Sequence, residues 1–295
     1  MNVRPIAPAD VDAVAEVDFA AFHEVALRHG MTPVVSAVRD SRAYVRRLHE
    51  VDPLGGFVAE DGGRVVGHAW VHARGPIATV GPVAVEPALQ RRGIGRALLK
   101  QCIQAAGPRA TQVRLVHESF NTASLGLYLS EGFRIVAPVL ELVLDAAAPA
   151  PTPASPPGIS IRAAGPNDQA RIVARDARPF GAPRAQDVER HLRAGRAVVA
   201  ERGTTLAGYA LGGPGFLGSA AGEDPELVLA MLATLAKEPA LRLSSQRVMI
   251  LGTDRVLVDG LRTMGFRLFR SCQYMIRGGG TAPPPGYVLM GGDYM

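Results

Sequence analysis

Two periodicities alternate along the chain. Between Asp10 and Leu27, apolar residues at Val11, Val14, Ala15 and Val17 to Phe19 return along one side, which predicts an amphipathic helix. Gln90 to Ala106, with Leu98, Leu99 and Ile103 at helical spacing, and Asn121 to Ser130 predict two more. Between them, GFVAEDGGRVVGHA (Gly56 to Ala69) places β-branched and apolar runs on either side of a glycine-bearing break, the pattern of a hairpin. Val83 to Val85 is a short apolar strand that Pro87 stops. Strands and helices mixed in this way predict an α/β or α+β class with mixed pairing.

The pattern occurs twice. Val3, Arg4, Pro8, Asp10, Asp18 and Phe22 match Ile161, Arg162, Pro166, Asp168, Asp176 and Phe180 at a single offset of 158. The hairpin returns as AVVAERGTTLAGYA (Ala197 to Ala210) at an offset of 141, and Gly132-Phe133-Arg134 returns as Gly265-Phe266-Arg267 at 133. This is an internal duplication whose second copy is shorter by 25 residues. Each copy reads strand, helix, hairpin, strand, helix, strand, helix and closing strands, with an extra helical insert expected in the first copy only. Between the copies, Ala146 to Gly158 (AAAPAPTPASPPG) has alanine or proline at ten of thirteen positions. Repeated prolines favour extended backbone, so this reads as a linker spanning up to roughly 40 Å at about 3.1 Å per residue. The expected organisation is a first domain at 1–145, a linker at 146–158 and a second domain with a tail at 159–295.

Composition narrows the class. With 295 residues, 47% hydrophobic and 20% charged, the chain has enough apolar surface for sizeable cores and is neither disordered nor fibrous. It shows no run of eighteen apolar residues and no basic-plus-apolar leader at its start, so a soluble cytoplasmic protein without membrane contact is expected. Cys102 and Cys272 lie far apart without C-x-x-C spacing, which offers neither a disulfide framework nor a cysteine zinc site. The net charge of +5 is spread through the chain, and only Lys100 and Lys237 are lysines. Scattered arginines predict a solvated surface and no nucleic-acid partner.

The most specific chemistry lies between Val80 and Ala106. After the Val83-Ala84-Val85 strand stands Gln90-Arg91-Arg92-Gly93-Ile94-Gly95-Arg96, and a helix follows. A glycine-rich loop opening a helix aims several backbone N–H groups and the positive helix end at one spot, which is an anion site a pyrophosphate fits. Nearby arginines add charge. The dinucleotide fingerprint requires a small residue where Leu98 stands, and no Gly-Lys-Ser/Thr of a nucleotide-triphosphate loop occurs. A plain helix cap with surface arginines stays open as the alternative.

Two ordered motifs resemble the GNAT superfamily of acetyl-CoA-dependent N-acyltransferases. Gln90, Gly93 and Gly95 meet its Q/R-x-x-G-x-G/A signature, and Asn121 through Tyr128 to Gly132-Phe133, following the strand Val113 to His117, resembles its second. The resemblance covers about residues 1 to 145 strongly and 159 to 277 weakly. It implies two GNAT-like domains, each a mixed, mostly antiparallel sheet flanked by helices. It also implies that the backbone of Val83 to Val85 pairs with the pantetheine arm of acetyl-CoA, and that the amides of Arg91 to Arg96 hold its pyrophosphate. Asn121 would contact the arm with Ser124 close by, and Tyr128 would lie beside the thioester sulfur. A phenol with an ordinary pKa near 10 keeps its proton at neutral pH and can donate it to a departing thiolate. The alternative for Tyr128 is an apolar contact on an amphipathic helix.

Amine attack requires loss of a proton from the acceptor. The position where many members carry a glutamate falls near Thr79, so Glu118, His117, Glu86, His23 and Glu24 are the remaining candidates for the base. His68 and His72 share a strand face but lie about 13 Å apart, too far for one ion, so no metal is expected. Cys102 reads as a packing residue. In the second copy, Leu261, Asp254 and Leu257 stand in place of Tyr128, Asn121 and Ser124. The helix after its third strand opens on Glu223, Asp224 and Glu226, which repel a pyrophosphate. The expected function is transfer of an acetyl group from acetyl-CoA to a small-molecule or protein amine by the first copy, in a ternary complex. A non-catalytic acyl-CoA sensor and a partner-binding scaffold are the rivals, and a homodimer is left open.

Overall fold

The computed structural model describes residues 1–151, 156–213, 215–238, 241 and 245–291. Of the Ala/Pro-rich segment, residues 152–155 therefore lie outside the described residues. Ala148, before them, packs against an apolar cluster of the second compact unit.

The first unit comprises Met1–Leu115 and Phe120–Gly132. Its sheet runs β1 (Asn2–Pro5), β2 (Gly56–Asp61), β3 (Arg64–Arg74), β4 (Ile77–Val85) and the first part, to Leu115, of β5 (Gln112–Glu118), in that spatial order. Neighbours pair antiparallel except β4 and β5, which are parallel. The helices are α1 (Val11–Arg28), α2 (Val38–Val51), α3 (Ile94–Ala105) and α4 (Thr122–Ser130). The periodicity seen in sequence is what packs. Val14, Ala15, Val17 and Ala21 of α1 are buried, as are Leu98, Leu99 and Cys102 of α3.

The first turn of α1 is fixed by a clamp. Arg4 donates to Asp10 at 2.7 and 2.9 Å and to Glu60 at 2.9 Å, and Asp10 also accepts from the Ala7 N–H at 2.7 Å. The bond from Arg4, helped by that amide, holds the Asp10 carboxyl below its ordinary range. The second copy repeats the clamp through Arg162, Asp168 and Glu201. The duplication thus conserves an electrostatic latch as well as an apolar pattern.

His68 and His72 of β3 each meet a separate carboxylate. His68 Nε2 lies 3.3 Å from Asp18, which also accepts from Ser41 at 2.7 Å, while His72 Nδ1 lies 2.5 Å from Asp52. Among the described residues no group of three metal-ligating side chains is assembled.

The second unit comprises Val116–Ser119 and Phe133–Met295. It contains β6 (Arg134–Leu144), β7 (Ser160–Ala163), α5 (Gln169–Phe180), α6 (Ala185–Arg193), β8 (Ala197–Arg202), β9 (Thr205–Gly213) and β10 (Phe216–Gly222). α7 (Pro225–Ala236), β11 (Gln246–Leu251), α8 (Arg255–Thr263), β12 (Arg267–Gly278) and β13 (Val288–Leu289) follow. The strand order is β12-β6-β11-β13-β10-β9-β8-β7. β6 precedes the Ala/Pro-rich segment in the chain yet sits inside this sheet, antiparallel to both β11 and β12. Its Leu142 and Leu144 enter one apolar cluster and its Val139 another, so it builds both faces of the unit.

α6 corrects one expectation. The helical insert assigned to the first copy alone has a shorter counterpart here, nine residues against fourteen. Only Val188 and Leu192 give AQDVERHLR an apolar side; both are buried, but two positions make too weak a period to read in sequence. The tail, left without a place by the sequence, packs on this unit through Tyr287 to Met290.

Candidate functional site

The first unit holds a cleft of about 580 Å³. Its origin is a splay in the sheet. β4 pairs with β5 only from Ile77 to Thr79, opposite Gln112 to Arg114, while β4 continues to Val85 along β3. Beyond Thr79, one edge of β4 is therefore turned away from β5, and Val83, Ala84 and Val85 line the cleft. Peptide groups on such an edge can pair with an extended ligand that carries amides.

The floor continues into the loop before α3. Gly93 caps that helix at φ +87°, a conformation favoured by glycine, and supplies no side chain to bond the first amides. Ala97 N–H already bonds Gly93 O at 3.0 Å. The amides of Ile94, Gly95 and Arg96 precede that first intrahelical bond and face the mouth with the positive end of the helix. A Cβ at Gly93 would meet nothing within 4 Å, which shows the open space above the loop. Gln90 ties the loop to β4 by donating to Val85 O at 3.2 Å. Arg96 donates to Ser130 at 3.0 Å and lies 3.2 Å from Glu131, which fixes α3 to α4.

α4 supplies the opposite wall. Asn121 caps it by accepting from Ser124 N–H at 3.3 Å, and Ser124 donates back to the Asn121 carbonyl at 3.1 Å. Tyr128 stands two turns along. Part of its ring stays exposed, but the protein encloses the phenol enough for burial, with Cys102 adding to it, to push the hydroxyl up to about 12. The Cys102 thiol is itself fully buried and pushed up by desolvation, which makes it a packing group and a poor nucleophile.

The structure thus brings Val83, Ala84, Val85, Gln90, Arg91, Gly93, Ile94, Gly95, Arg96, Asn121, Ser124 and Tyr128 into one cleft. Arg92 is exposed and outside its wall. None of the five candidate bases lines it. Glu24 pairs with Arg28, Glu86 with Arg64 and Glu118 with Arg270, His23 faces Val35 O at 3.2 Å, and His117 is buried elsewhere.

The sequence reading missed the end of α1. Ala21, Phe22, Val25, Arg28 and His29 form one face that closes the cleft. His29 Nδ1 lies 2.8 Å from Val25 O, and its ring packs 5.3 Å from Phe120. A carbonyl only accepts, so Nδ1 is the donor in this contact and Nε2 is the other ring nitrogen. The spacing of Phe22, Val25 and His29 was the available signal, but the same positions also read as ordinary helix packing.

A splayed β4, an uncapped glycine-rich helix start and a polar α4 wall are thus joined in one cleft, as the GNAT resemblance implies. Residues 22–133 match the model of the acetyltransferase (GNAT) family. A mycothiol acetyltransferase of Amycolatopsis mediterranei is 33% identical over 144 residues, 45% of this chain and 46% of that protein. The match therefore spans less than half of that relative. A crystal structure described as an acetyltransferase from Pyrococcus horikoshii covers 100% of this chain and 95% of its own, with TM-score 0.80 and 19% identity. A tandem GNAT protein from the clavulanic acid biosynthesis pathway covers 95% of this chain and 99% of its own, with TM-score 0.61 and 19% identity. These likenesses show the tandem GNAT fold. Among the described residues, no helix is long and apolar enough to cross a membrane.

Proposed function

We propose that the first unit transfers an acetyl group from acetyl-CoA to an amine by direct attack within a ternary complex. The observation that carries this reading is one cleft, internal to that unit, that joins the open β4 edge, the uncapped α3 start, Asn121 and Tyr128. The residues fit the co-substrate. The edge from Val83 to Val85 matches an arm with peptide-like amides, and the amides from Ile94 to Arg96, together with Arg91, match a pyrophosphate. Acetyl-CoA, when bound, supplies an activated thioester.

The remaining chemistry belongs to side chains of this chain. The Tyr128 hydroxyl holds its proton at neutral pH and offers a hydrogen bond to sulfur. His29 Nε2 is placed to accept a proton from an incoming amine, and among the residues lining the cleft it is the one imidazole, with no carboxylate beside it. Phe22 and Val25 give that end apolar surface and Arg28 adds a positive charge, both of which favour a neutral amine over a hydrated ammonium. The acceptor belongs to the class of primary amines, on a small molecule or a protein. Names of the relatives support acetyl transfer; the acceptor of this chain is left to experiment.

Free-thiol release from acetyl-CoA across an amine library tests the reading. Turnover on at least one amine is expected, and His29→Asn should lower kcat while leaving the KM for acetyl-CoA near the wild-type value. Stoichiometric acetyl-CoA binding without thiol release on any amine would instead favour an acyl-CoA sensor, a reading supported by the absence of a carboxylate from the cleft wall.

A further inference from the structure

The two copies solve the same gap in opposite ways. In the first unit, Val80 of β4 lies opposite Val71 and Val83 opposite Ala69, with a register shift between them. In the second, Leu217 of β10 lies opposite Gly212 and Ala220 opposite Ala210, again with a shift. Ala220 is thus the counterpart of Val83. β10 also pairs with its parallel neighbour β11 only briefly, at Phe216 and Leu217 opposite Arg247 and Val248. Beyond that point the strands of the second unit are splayed as β4 and β5 are.

Here the gap is filled by the chain itself. β13 enters it antiparallel, with Val288 opposite both Ala220 of β10 and Ile250 of β11, and Leu289 opposite Met249. Asp254 caps α8 by accepting from Leu257 N–H at 3.1 Å, as Asn121 caps α4. Its second oxygen accepts from the Gly286 N–H at 2.5 Å. The tail therefore places a backbone amide on the residue equivalent to Asn121 and a strand on the edge equivalent to Val83.

The slot also has a side-chain anchor. Tyr287 is buried, and its hydroxyl accepts from Arg184 at 2.7 Å. Arg184 is itself wholly buried, doubly bonded to Asp176 at 2.6 and 2.8 Å, bonded to Ser219 at 2.9 Å, and stacked 4.1 Å over Phe180. A buried guanidinium held in place by Asp176 and Ser219 is a preorganised donor for the phenol oxygen. The anion cradle, by contrast, is closed. The Asp224 carboxylate accepts from Leu227 N–H at 2.7 Å and occupies the α7 start that Gly93 leaves bare in α3, and Pro225 removes a donor.

We propose that the splay between β10 and β11 is a peptide-binding slot and that residues 286–290 are its resident ligand. Its specificity is for an extended segment of the form glycine-tyrosine-aliphatic-aliphatic, held by strand addition on β10 and β11, by Asp254 at the glycine amide and by Arg184 at the phenol. The first unit keeps the equivalent gap open for a diffusible ligand; the second has exchanged it for a covalently tethered one. This inference stands on the second unit alone and does not depend on the activity of the first.

The experiment uses the full chain with a protease site inserted at the exposed Gly279-Gly280 step, cut after folding. The tail fragment should stay with the body through gel filtration, or leave and be replaced by a labelled synthetic peptide of residues 283–291, read by anisotropy. The peptide carrying Tyr287→Ala should bind about a hundredfold more weakly, since it loses a charge-assisted bond and a buried ring. Saturating CoA should not compete. A tail that leaves with no binding of the native peptide overturns the proposal, as does equal binding of the alanine peptide. Should cutting unfold the protein, native peptide at about 100 μM present during the cut must preserve the circular-dichroism spectrum; unfolding in its presence also overturns it.

Discussion

Tyr128→Phe probes the chemistry most directly because it removes one hydroxyl and keeps the ring that lines the cleft. Burial raises that hydroxyl to about 12, whereas a CoA thiol resembles cysteine at about 8.5. Complete proton transfer to the departing thiolate would thus be uphill by roughly 3.5 units, close to 5 kcal/mol. On the proposed reading the phenol would therefore donate a hydrogen bond to the developing negative charge while keeping its proton. Such a charge-assisted bond is worth about 1.5–3 kcal/mol, which converts to a fall in kcat of roughly ten- to 150-fold. The KM for acetyl-CoA should stay near wild type, because the bond strengthens only as charge appears on sulfur. The pH profile adds a second signature. A phenol raised to about 12 stays protonated throughout the assay range, so wild type and Tyr128→Phe should show the same alkaline limb up to about pH 10.5. The assay is thiol release under saturating acceptor, with a solvent-viscosity control to establish that chemistry limits the rate. An unchanged kcat under those conditions refutes the role. An alkaline limb near pH 9–10 that vanishes in the variant refutes the argument from burial.

Three further outcomes follow from the geometry. Gly93→Glu should abolish the thermal protection that acetyl-CoA gives while leaving the protein folded, since a Cβ there meets nothing within 4 Å and the cost is confined to a residue at φ +87°; retained protection would remove the cradle assignment. Asp176→Asn should lower unfolding stability by about 3–5 kcal/mol in urea titrations, because it leaves the buried Arg184 without its counter-charge; a loss under 1 kcal/mol would show that Tyr287 and Ser219 suffice as partners. Asp10 and Asp168 are held below their ordinary range by Arg4 and Arg162, so their contribution is present above the unfolded carboxylate range near pH 4 and is lost as pH falls through the lower folded values. The Arg4→Gln, Arg162→Gln double variant should accordingly lose less stability than wild type between about pH 4 and pH 2; parallel curves would assign acid sensitivity to other groups.

The parts of the site legible in the sequence were those whose chemistry is local. Gly93, at φ +87°, and Gly95 stand close to a strand end, and Asn121, Ser124 and Tyr128 sit within two turns of one helix, so spacing alone brought them together. The face of α1 carrying Phe22, Val25 and His29 was hidden because an apolar stripe at helical spacing looks the same whether it meets a core or a cleft. α6 was missed for want of period, with two apolar residues in nine. The acids opening α7 were legible as a charge, but not that Asp224 bends back to cap the helix. β13 is two residues long, and its partners lie tens of residues upstream, so no local rule could place it. The same holds for β6, whose run of valines, leucines and isoleucine suits a strand without naming its neighbours.

The position of β6 has a consequence for synthesis. Translation completes this strand at Leu144, but its two partners emerge only with Gln246–Leu251 and Arg267–Gly278. At about 5–20 residues per second, the ribosome takes roughly 7–27 s to supply them. Throughout that interval an eleven-residue strand with two unpaired edges and leucines on its flank is free to pair with another nascent chain. The Ala/Pro-rich segment emerges directly behind it, and its prolines cannot extend a ladder from that end. The duplication has therefore become irreversible in a physical sense: a gene split between the repeats would separate β6 from the sheet it completes.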